Sequence, residues 1–344
     1  MNKKLFLLPV VGYLAYRLQA ETKTTPIEGD NAIAELRMVE VNGTKLATLI
    51  RGQNRNNPIL LCVAGGPFGT DIPFIKKYET ELEKYFTIVH YDQRGAGKSH
   101  ELGTDYSTLT ADQHVDDLIT LTKILKEALQ QDTVYLLGHS YGTYLGSLAV
   151  QKEPDLYKAY IGIGQMSDTV KAETYAMENC IEAAKEAGNT QDVEFLESKL
   201  QDVKDGKMFA PRKYLRKYKF ASRENHHEMA DFVKMVLFGD EYNLGDGIKF
   251  FYGASRYGEP LAMQTVEKPL SDLVKSYPIP AYFILGQYDG QTNTKAAREY
   301  FDSLEGTQPK EFIVFENSAH SPHIEENERF VDWMINDFLP KNKA

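Results

Sequence analysis

Cysteine is almost missing from this chain: 344 residues contain two, Cys62 and Cys180. That excludes a small scaffold stapled by disulfides, and the two positions match no metal-ligand spacing. Cys62 stands inside an apolar run and Cys180 inside a helical pattern, so both are expected as buried free thiols. Basic residues are also in deficit, with Lys+Arg 39 against Asp+Glu 49 and a formal net charge of −10. A nucleic-acid binder needs a basic footprint, so that function class is set aside. No apolar stretch reaches the roughly 20 residues that a spanning helix requires. Internal repeats and low-complexity tracts are absent, which removes solenoids, collagens, coiled coils and disordered chains. What remains is ordinary globular composition, 42% hydrophobic and 26% charged, at a length suited to one large domain or a domain with an insert.

The N-terminus departs from that plain picture. Met1-Asn2-Lys3-Lys4 is followed by an uncharged apolar run from Leu5 to Tyr16, interrupted by Pro9 and closed by Arg17. A basic start followed by a short apolar run has the form of a signal peptide or a membrane anchor. Three readings stand: an uncleaved anchor, a signal cut near Leu18-Gln19-Ala20, or a surface helix on a cytoplasmic protein. Residues 1–20 are therefore set apart as a hydrophobic segment with possible membrane contact, either anchoring or exporting the chain. Residues 21–32, polar and carrying Pro26 and Gly29, read as a linker.

Beyond residue 33 the pattern alternates. Asn42-Gly43 between two extended runs predicts a hairpin. Continuous apolar runs at 58–64, 86–91, 133–137, 158–163 and 279–285 have the form of strands buried on both faces of a parallel sheet. Helical spacing follows several of them, as at Val115, Leu118, Ile119, Leu125 and Leu129, and a helix is expected over 72–85. This rhythm predicts a doubly wound α/β sheet. It breaks between 168 and 270, where only helical segments are found. The domain reading is a core of 33–167 and 271–344 with a helical cap at 168–270.

The sharpest motif is Gly138-His139-Ser140-Tyr141-Gly142, placed between a strand and a helix. Small residues on either side of a serine permit a turn tight enough to lift its Oγ above the sheet, where the helix dipole and the Tyr141 amide can stabilise an oxyanion. A serine nucleophile needs a base, and the base needs an orienting acid. Asp289 follows the strand ending at Leu285, and His320 follows the strand ending at Phe315. Both loops lie at the carboxyl edge of the sheet, where open α/β folds gather their chemistry. His323 is an alternative base, and His139 reads as structural. Gly65-Gly66-Pro67-Phe68-Gly69 would supply the second oxyanion donor from Gly66 or Phe68, since Pro67 has no N–H. Asp92 and Arg94, within Asp92-Gln-Arg-Gly-Ala-Gly-Lys-Ser99, read as a charge pair holding a loop. Arg212, Lys213, Arg216, Lys217 and Lys219 read as a solvated helix face, with a membrane contact or an anionic-substrate guide as the alternative.

Together these motifs resemble the α/β-hydrolase superfamily and, within it, the proline iminopeptidase-like serine peptidases, over about residues 33–339. The resemblance implies the α/β-hydrolase fold, with Ser140 as nucleophile, His320 as general base and acid, and Asp289 as its orienter. Tyr141 and a residue of Gly66–Phe68 would donate to the oxyanion. It implies no cofactor and no metal. Three departures stand out. Ala64 replaces the histidine that usually opens the glycine loop, and Phe68 is inserted into that loop. Tyr141 stands where the proline-specific enzymes carry tryptophan. The cap carboxylates that would hold a substrate amine, among which Glu173 and Glu224 are candidates, do not align. The expected function is serine hydrolysis of a small peptide or amino-acid amide from its N-terminus. A carboxylesterase with the same triad is the alternative, and a non-catalytic binding relative a third. Nothing in the sequence fixes the oligomeric state.

Overall fold

The structure, a computed structural model, describes residues 3–223 and 228–343. Eight strands form one sheet: β1 (Ile33–Val41), β2 (Thr44–Gly52), β3 (Ile59–Val63), β4 (Thr87–Tyr91), β5 (Val134–His139), β6 (Tyr157–Ile163), β7 (Ala281–Gly286) and β8 (Lys310–Phe315). Their spatial order is β1-β2-β4-β3-β5-β6-β7-β8. β2 runs antiparallel to both of its neighbours, and every other pair is parallel. The hairpin closes at Val41↔Thr44 with Asn42 and Gly43 both at positive φ, the primed turn that matches strand twist.

The apolar runs are continuous because helices cover both sides of the sheet. Strand side chains alternate between faces. Leu61, Val89, Leu136 and Phe283 meet the helices Ala111–Leu129, Tyr141–Lys152 and Thr294–Ser303. Leu60, Cys62, Ile88, Tyr135 and Tyr282 point the other way, onto Phe330, Trp333 and Phe338 near the C-terminus. Helix Ala111–Leu129 starts where Thr110 and Gln113 cap each other reciprocally.

Between β6 and β7 the described residues form helices and no strand. The main ones are Thr169–Glu186, Thr190–Lys204, Arg212–Lys217, Glu228–Phe238 and Leu244–Glu267. Side chains of Asp168, Asn189 and Asn243 cap three of them. The first three share a small core of their own around Met177, Cys180, Leu196 and Leu215. Both cysteines are free and buried.

Two segments differ from their sequence reading. Residues 72–85 are not one helix: Pro73 stands at the start, and the buried positions lapse between Ile75 and Leu82. Only the short helix Lys76–Glu79 and a turn at Leu82–Lys84 form there. The stretch read as a linker is held in place. Lys23 N–H donates to Asp240 O at 3.0 Å, Asn243 Nδ2 donates to Ala20 O at 2.9 Å, and Arg51 donates to Thr24 and Thr25.

The N-terminal helix Lys3–Gln19 also lies against the insertion. Arg17 is buried and donates to the carbonyls of Val236, Gly239 and Tyr242 at 2.6–2.8 Å, a cation at the C-terminal end of helix Glu228–Phe238. Among the described residues no helix is long and apolar enough to cross a membrane.

Candidate active site

Ser140 sits between β5 and helix Tyr141–Lys152 with φ 54° and ψ −121°, a backbone conformation that a non-glycine residue holds only under constraint. The flanking glycines are required sterically. A Cβ on Gly138 would meet the carbonyl of Gly142, and one on Gly142 would run into the carbonyl of Val63. The turn is braced from both sides. Ser140 N–H donates to Ile163 O at 2.9 Å, while Ser140 O accepts from Thr143 N and Thr143 Oγ1 at 2.8 and 2.6 Å.

Asp289 follows β7 and His320 follows β8, so neighbouring strands deliver them to the same edge. His320 Nδ1 lies 3.0 Å from Asp289 Oδ2 and 3.1 Å from Oδ1. The Asp289 carboxylate also accepts from Gln291 N, Thr292 N and Thr292 Oγ1 at 2.7, 3.2 and 2.8 Å. Burial alone would raise its pKa, but the adjacent His320 and these donors outweigh burial and hold the carboxyl below its usual value.

His320 packs over Gly164, and His139 Nε2–H donates to the His320 carbonyl at 3.1 Å. His139 therefore supports the loop, in keeping with its structural reading. His323 packs on His139 at 4.8 Å between ring centres, and the imidazole bonded to Asp289 is that of His320.

A cavity of about 510 Å³ opens over Ser140, with Gly66, Pro67 and Tyr141 on its lower wall and Met208, Phe209 and Glu259 of the insertion on its upper one. The glycine loop gives it one candidate amide fewer than expected. Phe68 is held at φ 62°, with its ring buried against Tyr106, His114 and Tyr257, and its N–H donates to Gln93 Oε1 at 3.1 Å. The expectation that Phe68 might donate to an oxyanion is corrected on that ground: its amide is already bound, while Gly66 faces the cavity.

Gln93 was not singled out in the sequence. Its Nε2 also donates to Ala64 O at 2.8 Å, so one side chain fastens both ends of the glycine loop. Its place in the Asp92–Ser99 motif was the available signal.

Asp92 and Arg94 do not pair with each other. Asp92 accepts from Thr70, from Tyr242 of the insertion and from Lys98 N. Arg94 forms a two-pronged pair with Asp117 at 2.7 Å. Asp92 thus ties the core motif to the insertion, together with a Lys98–Asp246 ion pair at 2.5 Å.

The candidate substrate carboxylates fare differently. Glu173 lines the cavity but is 4% exposed, and both its oxygens are occupied: Arg212 binds them at 2.6 and 2.8 Å and Ala210 N–H adds a third bond at 2.8 Å. The structure contradicts a role for Glu173 as an open anchor, because its charge is already matched. Glu224 lies outside the described residues. Glu259, missed in the sequence, is exposed in the cavity wall and makes no ion pair among the described residues. Its only sequence signal is a carboxylate beside Pro260 within a helix. The basic run is a solvated face, as expected: Lys213, Arg216, Lys217 and Lys219 are exposed, and Arg212 alone is half-buried. Besides Arg212, Lys217 pairs with Asp192, and Lys213 lies over the Phe195 and Tyr214 rings.

The comparisons with known proteins identify the fold family. Residues 58–327 match the family model described as alpha/beta hydrolase fold. The chain is 30% identical over 307 residues to the probable aminopeptidase YbaC of Bacillus subtilis, covering 88% of this chain and 95% of that protein. It is 24% identical over 311 residues to the proline iminopeptidase of Heyndrickxia coagulans, covering 88% and 97%. Among solved structures, the proline iminopeptidase of Mycobacterium smegmatis superposes with a TM-score of 0.62 at 17% identity, over 90% of this chain and 98% of that one. With the eight-stranded sheet and its strand order, these matches establish that the chain is a hydrolase belonging to the α/β-hydrolase fold family.

Proposed function

We propose that this hydrolase is a serine aminopeptidase acting on small peptides or amino-acid amides, with residues 168–270 serving as a cap over the site. The observation that carries the reading is the strained Ser140 turn, set beneath a cavity and accompanied by the His320–Asp289 pair. Ser140 Oγ attacks the acyl carbon while His320 takes its proton, and Asp289 keeps the imidazole in the tautomer that can accept at Nε2. The oxyanion receives hydrogen bonds from the amides of Tyr141 and Gly66. His320 returns the proton to the leaving amine, and water releases the acyl group by the reverse sequence. Glu259 is the carboxylate placed to hold the substrate's free amine.

Turnover of unblocked prolyl and leucyl arylamides is expected, with loss of activity on N-acetylation and none in Ser140→Ala. Glu259→Gln should raise KM for unblocked substrates about tenfold or more, the worth of one charge-assisted hydrogen bond, with a smaller change in kcat. Equal KM values in parent and variant would remove Glu259 from this role. An esterase is the second reading, favoured by the apolar walls at Met166, Met208, Phe209, Ala254 and Ala262. Butyrate ester cleavage without arylamide turnover would select it.

We also propose that the N-terminal helix and the neighbouring insertion helices rest on a membrane surface. Val11, Leu14, Tyr16, Phe238 and Phe251 are exposed there, and the Tyr13 ring stacks on Phe238. In sequence this face follows Lys3 and Lys4, and the pattern suits an interface better than a span. The protein should co-sediment with anionic phospholipid vesicles and lose that binding in Tyr16→Glu/Phe238→Glu. Unchanged sedimentation of the double variant would overturn the contact.

A further inference from the structure

A second cluster of reactive side chains lies apart from the Ser140 cavity. Cys62 on β3 and His90 on β4 are direct partners in the parallel register, so their side chains leave the sheet side by side on the same face. Glu79, the last residue of the short helix Lys76–Glu79, turns its carboxylate onto them, with Oε2 2.8 Å from His90 Nε2. One donor atom from each of the three lies within 4.8 Å of the other two. Cys62 and His90 are buried, and the Glu79 side chain is 12% exposed.

We propose that Cys62, His90 and Glu79 bind one divalent cation of the zinc class. Sulfur, nitrogen and oxygen donors in this combination suit a borderline-soft ion that favours four-coordination, with water taking the remaining position. Zinc bonds of about 2.0–2.3 Å put tetrahedral donors roughly 3.3–3.7 Å apart, so the widest separation must close by roughly 1–1.5 Å while the Glu79–His90 contact, at 2.8 Å, opens by about 0.5 Å. Side-chain torsions of Cys62 and Glu79 can supply that.

The imidazole is also incompletely bonded. His90 Nδ1 is fully buried and has no hydrogen-bond partner among the described residues, and the same holds for Nδ1 of the neighbouring His323. Only one ring nitrogen can take an ion, and it is the convergence of the three donors that points to one. The partial exposure of Glu79 provides the entry path. The ion would brace the end of β3, one residue before Val63 and directly ahead of the glycine loop. The site is therefore structural in role and independent of how the serine acts. Regular ligand spacing is absent because each donor comes from a different element.

The test is titration of the chelator-treated, reduced full chain with Co²⁺. The expected result is a 1:1 complex with tetrahedral visible bands and a thiolate-to-cobalt charge-transfer band in the near ultraviolet, all displaced by Zn²⁺. Cys62→Ser should abolish the charge-transfer band, with far-ultraviolet circular dichroism confirming that the variant folds. His90→Gln and Glu79→Gln should each weaken Co²⁺ binding at least tenfold. Cys180→Ser and Ser140→Ala should titrate like the parent. A parent chain with no stoichiometric thiolate band, or a band that survives Cys62→Ser and disappears in Cys180→Ser, would overturn the site and leave Glu79–His90 as a buried ion pair.

Discussion

Asp289→Asn should lower kcat by about 10⁴-fold on whichever acyl substrate the protein turns over best, with KM within a few-fold of the parent. The size follows from what the carboxylate does in a Ser-His-Asp arrangement. Asp289 accepts at both oxygens from one edge of His320, so Nδ1 carries the proton and Nε2 is left to act as base. An amide in its place can direct an N–H at Nδ1, which selects the other tautomer and removes the base from the serine. Gln291 N and Thr292 N both donate to Oδ1 and keep an acceptor if the amide oxygen takes that place, while the Thr292 hydroxyl, now at Oδ2, can turn to accept from the amide N–H. The variant should therefore fold like the parent, and a thermal melt separates lost chemistry from lost structure. Steady-state kinetics of parent and variant, beside Ser140→Ala as the floor, decide the matter. A rate within tenfold of the parent would remove Asp289 from the machinery and reopen the question of which acid serves His320.

How far such a site is legible in the sequence depends on whether a residue's role is set locally or by a distant partner. The elbow at Ser140 was readable because its constraint is local: two glycines, a strand before and a helix after. Asp289 and His320 were readable because each directly follows a strand of a parallel sheet, whose carboxyl ends must share one edge. The strands announced themselves as uninterrupted apolar runs, since helices cover both faces.

Glu173 and Glu259 show the opposite case. Both are glutamates on amphipathic helices, and apart from Pro260 beside Glu259 their neighbours give no sign of which one is paired. Arg212, far along the chain, neutralises Glu173, while Glu259 keeps a place in the cavity wall. Phe68 and Gln93 are a second instance. The aromatic was read as an insertion in the oxyanion loop and a candidate donor, yet it is a buried plug whose amide is taken up by Gln93. The stretch at 21–32 has a linker's composition, and its backbone is nevertheless bound by Asp240, Asn243 and Arg51. Composition registers how polar a segment is, not whether a partner elsewhere satisfies it.

His114→Gln should make the protein more tolerant of acid. His114 lies on helix Ala111–Leu129 with its ring against Phe68 and Tyr141, is 2% exposed, and donates from Nε2 to Arg94 O at 3.1 Å. Burial pushes its pKa down to about 4, against a smaller opposing pull from the Arg94 carbonyl. The folded chain therefore holds this ring neutral where the unfolded chain would protonate it. Its contribution to stability is complete above the unfolded value near 6.5 and is lost as pH falls towards 4. A depression of about 2.5 units corresponds to about 3 kcal/mol over that window as an upper bound.

Asp92 works in the opposite sense. Burial raises it to about 6 against the hydrogen bonds from Thr70, Tyr242 and Lys98, so its contribution is present below about 4 and is lost as pH rises through 6. In the parent the two groups offset each other over much of the same range. Glutamine at position 114 retains an amide donor for Arg94 O and cannot titrate, so it leaves the Asp92 trend exposed. Urea unfolding of parent and variant at about pH 4.5, 5.5 and 7 should show the variant losing less stability on acidification, by up to about 3 kcal/mol. Asp92→Asn should show the converse, a steeper acid loss than the parent. If His114→Gln and the parent decline in parallel, proton uptake by this buried imidazole is not what limits the fold in acid.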